Sequence, residues 1–322
     1  MVAFDRREFL GAAGASLLSL TASPVRAAPF PSQDVKLVVP FSAGSMTDIL
    51  ARAIADKLRT RWKQNAIVEN RTGVAGTSSV ARGAADGYTL LFSSNGHVVL
   101  GVLNKNLPFD PIADFDPVVK VASTPAILIV PGDGPYKTLA ELVATLKEKP
   151  GRLSYASAGV GSATGIAAEL FKRVTDTQMA MVAHRGLPEA NTSVLRGDTA
   201  MGFTFFSVGG DLIQSGQLRA LAISGDVRLP QLPDVPTFKE AGLTDFAYDP
   251  WFGIMAPAHA PREVLAQVAK DVAQEIAATD LKERFAPHGV TFNVLDPDAF
   301  AAEIHLDAQR FRPLIQAASD AK

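Results

Sequence analysis

Cysteine is absent from this 322-residue chain, which excludes thiolate nucleophiles, cysteine-ligated clusters and disulfides. Even in an oxidising compartment such a fold rests on its core alone. Basic blocks are missing as well. The 31 Lys and Arg residues face 33 Asp and Glu, a net charge of −2, so no run of cations follows a phosphate backbone and nucleic acid is not an expected partner. No segment beyond the first thirty residues nears the roughly 20 apolar residues of a membrane span. The five histidines, His97, His184, His259, His288 and His305, lack a second ligand two to four residues away, which argues against a metal site. Gly159-Val160-Gly161-Ser162-Ala163-Thr164-Gly165 is one residue too long for a dinucleotide fingerprint, and no acidic residue follows about 20 positions on. No G-x-S-x-G elbow presents a serine nucleophile. The acids Glu240 and Asp245 read as solvated surface. Neither a cofactor nor a catalytic apparatus is expected.

What is present begins at the N-terminus. Asp5-Arg6-Arg7-Glu8-Phe9-Leu10 precedes a weakly hydrophobic stretch from Gly11 to Ala22, and Val25-Arg26-Ala27 ends it with small residues at −3 and −1. A charged head, a short apolar run and a small-residue cleavage site make a signal peptide over residues 1–27. The adjacent arginines indicate the twin-arginine (Tat) route, although Asp5 stands where that pattern prefers Ser or Thr. The alternative is an amphipathic first helix of a cytosolic protein. A periplasmic mature chain is expected. Without residues 1–27 it exceeds the about 100–200 residues of a usual domain, so two lobes are expected. Hydrophobic residues at 47% suffice for both cores.

Val35-Lys36-Leu37-Val38-Val39, ended by Pro40, predicts a buried strand. A helix follows from Asp48, with Leu50, Ile54, Leu58 and Trp62 on one face. Further strands are predicted at Ala66–Glu69, Tyr88–Phe92, Ala126–Val130, Leu153–Ala156 and Val290–Val294, with a helix from Leu139 to Lys147. Val264, Leu265, Val268, Val272 and Ile276 form a stripe after Pro261, and a last helix starts near Pro297. Continuous apolar strands separated by helices predict α/β layers around parallel sheets.

One pattern recurs: a strand, a loop of Gly, Ser, Thr and Ala, then a helix start. It occurs at Ser42–Thr47, Ser93–His97 and Ser157–Thr164. Such loops expose backbone N–H groups at the positive end of a helix and hold an anion without a charged side chain. They follow the carboxyl ends of strands, where open α/β sheets bind ligands. Ordinary helix capping is the alternative for each loop.

The same loops resemble those of the periplasmic receptors of tripartite tricarboxylate transporters, the Bug receptors. The marks are Leu37-Val38-Val39-Pro40-Phe41 with the Gly44–Asp48 loop, Glu69-Asn70-Arg71-Thr72-Gly73, Asp86-Gly87-Tyr88-Thr89-Leu90-Leu91 and Leu107-Pro108-Phe109-Asp110-Pro111. Tyr155-Ala156-Ser157-Ala158-Gly159, Leu218-Arg219-Ala220-Leu221-Ala222, Leu232-Pro233-Asp234-Val235-Pro236-Thr237 and Trp251-Phe252-Gly253 with Ala256-Pro257 complete the order. The resemblance spans essentially the whole mature chain. It implies a type II-like, two-lobed periplasmic binding protein, each lobe a mixed, mainly parallel sheet flanked by helices. Lobe 1 would hold 28–125 and 253–322 and lobe 2 126–252, with crossings near 123–130 and 247–255. It implies a monomeric receptor, not an enzyme, that captures a small carboxylate for membrane permease subunits.

Carried over position by position, the first loop is Phe41, Ser42, Ala43, Gly44, Ser45, Met46, Thr47 and Asp48, and the second contains Ser94, Asn95, Gly96 and His97. Lobe 2 supplies Ser157, Ala158, Ser162, Ala163, Thr164, Arg185, Gly186 and Thr204. The family's Pro-Gly-Gly-Ser is Ala43-Gly44-Ser45-Met46 here, its Asn is Leu100, its Tyr-Lys-Gly is His184-Arg185-Gly186, and its Phe-Asp-Asn is Phe203-Thr204-Phe205. The added Met and Phe and the lost acid point to a carboxylate with an apolar or aromatic body and away from amino acids. Arg185 offers a planar fork for a carboxylate or else caps its turn at the surface. Two other functions stay open: a sensory subunit presenting its liganded form to a membrane kinase, and a small periplasmic hydrolase.

Overall fold

The structure, a computed structural model, describes residues 30–159 and 161–320; the leader expected over 1–27 lies outside them. Strand β1 (Val35–Val39) is buried at four of its five positions, and Pro40, with no N–H to donate, ends it. Helix α1 (Met46–Trp62) starts two residues before the predicted Asp48, because Ser45 caps it: Ser45 Oγ accepts from the Asp48 N–H at 3.3 Å. Its stripe of Leu50, Ile54, Leu58 and Trp62 is buried as the spacing requires. β2 (Ala66–Asn70), α2 (Val74–Ala81) and β3 (Thr89–Ser94) follow. A 3₁₀ turn over Asn95–Val99 runs into the single-turn α3 (Leu100–Leu103), and β4 (Phe115–Ser123) ends the first pass through lobe 1.

The chain then enters lobe 2 as β5 (Ile127–Pro131), α4 (Leu139–Glu148), β6 (Ser154–Ser157) and α5 (Ala163–Thr175). β7 (Ala180–Ala183), α6 (Leu187–Leu195), β8 (Met201–Thr204), α7 (Phe206–Gln214) and β9 (Leu218–Ile223) complete it. After a long loop, β10 (Trp251–Pro257) returns to lobe 1, followed by α8 (Arg262–Ala278), α9 (Leu281–Phe285) and α10 (Pro297–Asp320). The strand predicted at Val290–Val294 does not form. That segment makes isolated bridges only, Ser123 to Thr291 and Lys120 to Leu295, because it meets β4 at two points without a continuous ladder.

Each lobe has a mixed five-stranded sheet, in the orders β2-β1-β3-β10-β4 and β7-β6-β8-β5-β9. β1 is parallel to β2 and β3, and β6 is parallel to β7 and β8. β10 and β5 run antiparallel to both their neighbours. The reversed strand in each sheet is therefore the one by which the chain has just arrived from the other lobe. The two crossings bond to what lies beside them. Thr124 N–H donates to Pro250 O at 3.0 Å, and Ala126 and Ser224 exchange two bonds of 2.8 Å. One apolar core runs between the lobes through Trp251, Phe300 and Phe311 to Phe171 and Phe203.

Candidate functional site

Six helix starts converge on one cleft between the lobes. Lobe 1 contributes Ser45–Thr47 at α1, Gly73 and Val74 at α2, and Ser94–His97 at the 3₁₀ turn. Lobe 2 contributes Ser162 and Ala163 at α5, Gly186 and Leu187 at α6, and Phe205, Ser207 and Val208 at α7. The chain crossings supply the floor with Thr124, Pro250, Trp251 and Phe252. The cleft encloses about 590 Å³, within the range of small-molecule sites.

The α1 loop is tied from behind. Asp48 Oδ2 accepts from the Gly44 N–H at 2.9 Å, Asn70 Nδ2 donates to Oδ1 at 2.9 Å, and Arg52 Nε lies 2.9 Å away. Burial opposes ionisation of Asp48, but these donors outweigh it and hold its carboxyl below the usual aspartate range. Gly44 takes φ +82° with open space where a Cβ would stand, so glycine serves the backbone angle. The first two N–H groups of α1, on Met46 and Thr47, find no acceptor among the described residues. Those of Ala163 and Thr164 at the start of α5 likewise find no acceptor among the described residues, and Ser162 Oγ takes the next one, from Gly165, at 3.0 Å. Such unpaired donors at helix N-termini favour an anion.

His97 is a neutral part of the wall. Its Nε2–H donates to Pro111 O at 2.6 Å and its ring stands edge-on to Phe115. Burial pushes its pKa down to about 4, against the raising effect of that carbonyl. Arg185 carries the only formal charge on the wall among the described residues, and it sits at the rim. Its side chain is 93% exposed and its Nε pairs with Glu189 at 3.2 Å.

Of the residues named from the sequence, Phe41, Ser42, Ser45, Met46, Thr47, Ser94, Asn95, Gly96, His97, Ser162, Ala163, Arg185 and Gly186 line the cleft. Ala43 and Gly44 lie exposed beside it, and Asp48 is buried behind the loop it holds. Ser157 ties its own turn, its Oγ bonded to Gly159, with Ala158 in the same turn. Thr164 bonds to Ser162 Oγ at 3.2 Å, and Thr204, fully buried, accepts from Asn191 Nδ2 at 3.0 Å. Sequence reasoning passed over the starts of α2 and α7, although Gly73 after β2 and Ser207 after β8 repeat the strand–loop–helix rhythm. It also passed over Thr124 and Pro250, which come to the cleft only because the chain crosses there.

Residues 50–319 match the family described as "Tripartite tricarboxylate transporter family receptor". Among curated relatives, Protein BugT of Bordetella pertussis is 32% identical over 300 residues, covering 92% of each chain. A solved R. palustris protein with adipate has a TM-score of 0.77 at 28% identity, covering 90% of this chain and 98% of its own. MatC from Rhodopseudomonas palustris with bound malate has a TM-score of 0.74 at 27% identity, covering 89% and 100%.

Proposed function

Because the chain belongs to the tripartite tricarboxylate transporter receptor family, a family of periplasmic solute-binding receptors and not enzymes, we propose that it captures a small carboxylate with an apolar or aromatic body and delivers it to permease subunits in the membrane. One observation carries the reading. Unpaired N–H groups from helix starts of both lobes face a cleft whose wall, among the described residues, has no acidic side chain. A carboxylate is stabilised there and an ammonium finds no counter-charge. Met46, Leu100, Phe205 and Val208 on the same wall suit an apolar body. The carboxylates held by the solved relatives, adipate and malate, support the chemical class.

Thermal shift with adipate, malate, benzoate, phenylacetate and glutamate tests this reading. At about 100 times its dissociation constant a bound acid adds about 2.7 kcal/mol of stability. The apolar acids should shift the melting temperature most and glutamate least, and Met46→Ala should narrow that gap. A protein stabilised by glutamate alone would overturn the proposal. Export by the twin-arginine route belongs to the same reading, from Arg6-Arg7. Changing both to Lys should strand the precursor in the cytoplasm, and unchanged processing would reject that route.

A further inference from the structure

On the seam between the two lobes a buried phenol bonds to both. Tyr248, on the return crossing, lies with its hydroxyl 2.6 Å from the backbone oxygen of Ala163 in lobe 2 and 2.8 Å from Asn95 Nδ2 in lobe 1. Both of those residues line the cleft. The direction of each bond follows from counting protons. A carbonyl oxygen only accepts, so the one phenolic proton goes to Ala163, and Tyr248 Oη accepts from the Asn95 amide. Asn95 is fully buried and Tyr248 4% exposed. Burial raises the phenol pKa well above 10, so the relay keeps its proton at any physiological pH. The ring is held edge-on to Phe311 of α10, centroids 5.5 Å apart.

Two glycines lie on the same seam. A methyl group at Gly96 would stand 3.1 Å from the Gly161 carbonyl oxygen, and one at Gly161 would collide with Leu103 Cδ1. Lobe 1 therefore approaches lobe 2 closely beside the relay, the Gly96 backbone facing the Gly161 carbonyl and the Leu103 side chain packing on Gly161 itself.

We infer that Tyr248 is a positioning residue, whose hydroxyl fixes the spacing between the lobe 1 turn at Asn95 and the lobe 2 helix start at Ala163. The peptide whose oxygen Tyr248 holds, Ala163–Thr164, carries the Thr164 N–H at its other end. A donor on the oxygen polarises that N–H, within the helix start that brings Ser162 and Ala163 to the cleft wall. The relay thus couples lobe closure to the strength of the lobe 2 anion donors. Its consequence for binding rests on the carboxylate-receptor reading; its effect on lobe spacing does not.

The experiment separates the two. The natural chain has no cysteine, so spin labels at Thr60→Cys on α1 and Lys147→Cys on α4 report lobe spacing cleanly. In carboxylate-free buffer, Tyr248→Phe should lengthen and broaden the interspin distance distribution, while a label pair within lobe 2 stays unchanged. Asn95→Asp should do the same, since its carboxylate takes the phenolic proton away from Ala163; this second variant keeps the test open if the first folds poorly. With adipate as probe, both should bind roughly fivefold to a hundredfold more weakly, two hydrogen bonds being at stake. A Tyr248→Phe distribution superimposable on that of the unmutated chain would overturn the inference. An adipate titration that fails even for the unmutated chain would count against the cargo reading and leave the distance result standing.

Discussion

The start of α1 in lobe 1 and the start of α5 in lobe 2 are the same device built twice. Each follows the middle strand of its sheet's parallel trio. Each is capped by a serine in extended conformation, φ −67° and ψ 157° for Ser45, φ −70° and ψ 156° for Ser162. Each runs Ser-x-Thr into the helix and stops at a non-glycine residue with positive φ, Lys63 or Asp176. What differs is the fastening. Lobe 1 uses ions: the buried Asp48 carboxylate grips Gly44, Asn70 and Arg52. Lobe 2 uses hydroxyls: Ser162 Oγ donates to Gly159 O at 2.7 Å and accepts from Gly165, with Thr164 and Ser157 close by. A carboxylate at a helix start competes with any anion for the positive end of the dipole. Arg52 cancels that charge in lobe 1, so both loops are held firmly and neither repels a carboxylate.

This comparison breaks first at Asp48. Asp48→Ala leaves the Gly44 N–H and the Asn70 amide without their acceptor, and should cost about 3 kcal/mol in urea unfolding. The pH dependence has a definite sign. A carboxyl whose folded pKa lies below its unfolded one contributes stability above the ordinary aspartate value of 3.8 and loses it as pH falls through the folded pKa. Asp48→Ala should therefore flatten the stability curve below about pH 4 and nowhere else. A curve parallel to that of the unmutated chain would remove the ionic fastening from the account.

Ser162→Ala comes next, at about 1–2 kcal/mol, because one hydroxyl serves both as cap and as donor across its loop. Ser45→Ala should cost less than about 1 kcal/mol, since its single cap bond is long at 3.3 Å and Asp48 still holds the loop. Equal costs in matched urea titrations would mean that the two loops are fastened alike.

The sequence shows its α/β layers plainly, and for a physical reason. Strands covered on both faces must be continuously apolar, as at Leu37–Val39 and Ile127–Val130, and helix stripes such as Leu50, Ile54, Leu58 and Trp62 must recur every turn. The small-residue loops at Ser42–Thr47 and Ser157–Thr164 are legible because a helix start needs a cap and an anion site needs bare backbone. Val290–Val294 misled because β-branched composition reports fitness for a sheet, not the presence of a free edge; here the segment only touches β4. Arg185 was ambiguous for a similar reason. A guanidinium after a turn suits a carboxylate of cargo and a carboxylate four residues on equally well, and Glu189 is that neighbour.

By itself, then, the order of residues determined most of the strands, the helices and the small-residue loops at their starts, since each depends on neighbours within a few turns of chain. Only the tertiary structure decided how those loops meet. Tyr248 lies 153 positions from Asn95 and 85 from Ala163, and no periodicity links them. Their contact exists because the chain crosses between the lobes twice, carries Thr124 and Pro250 into the floor of the cleft, and packs Tyr248 against Phe311 with its hydroxyl between two helix starts.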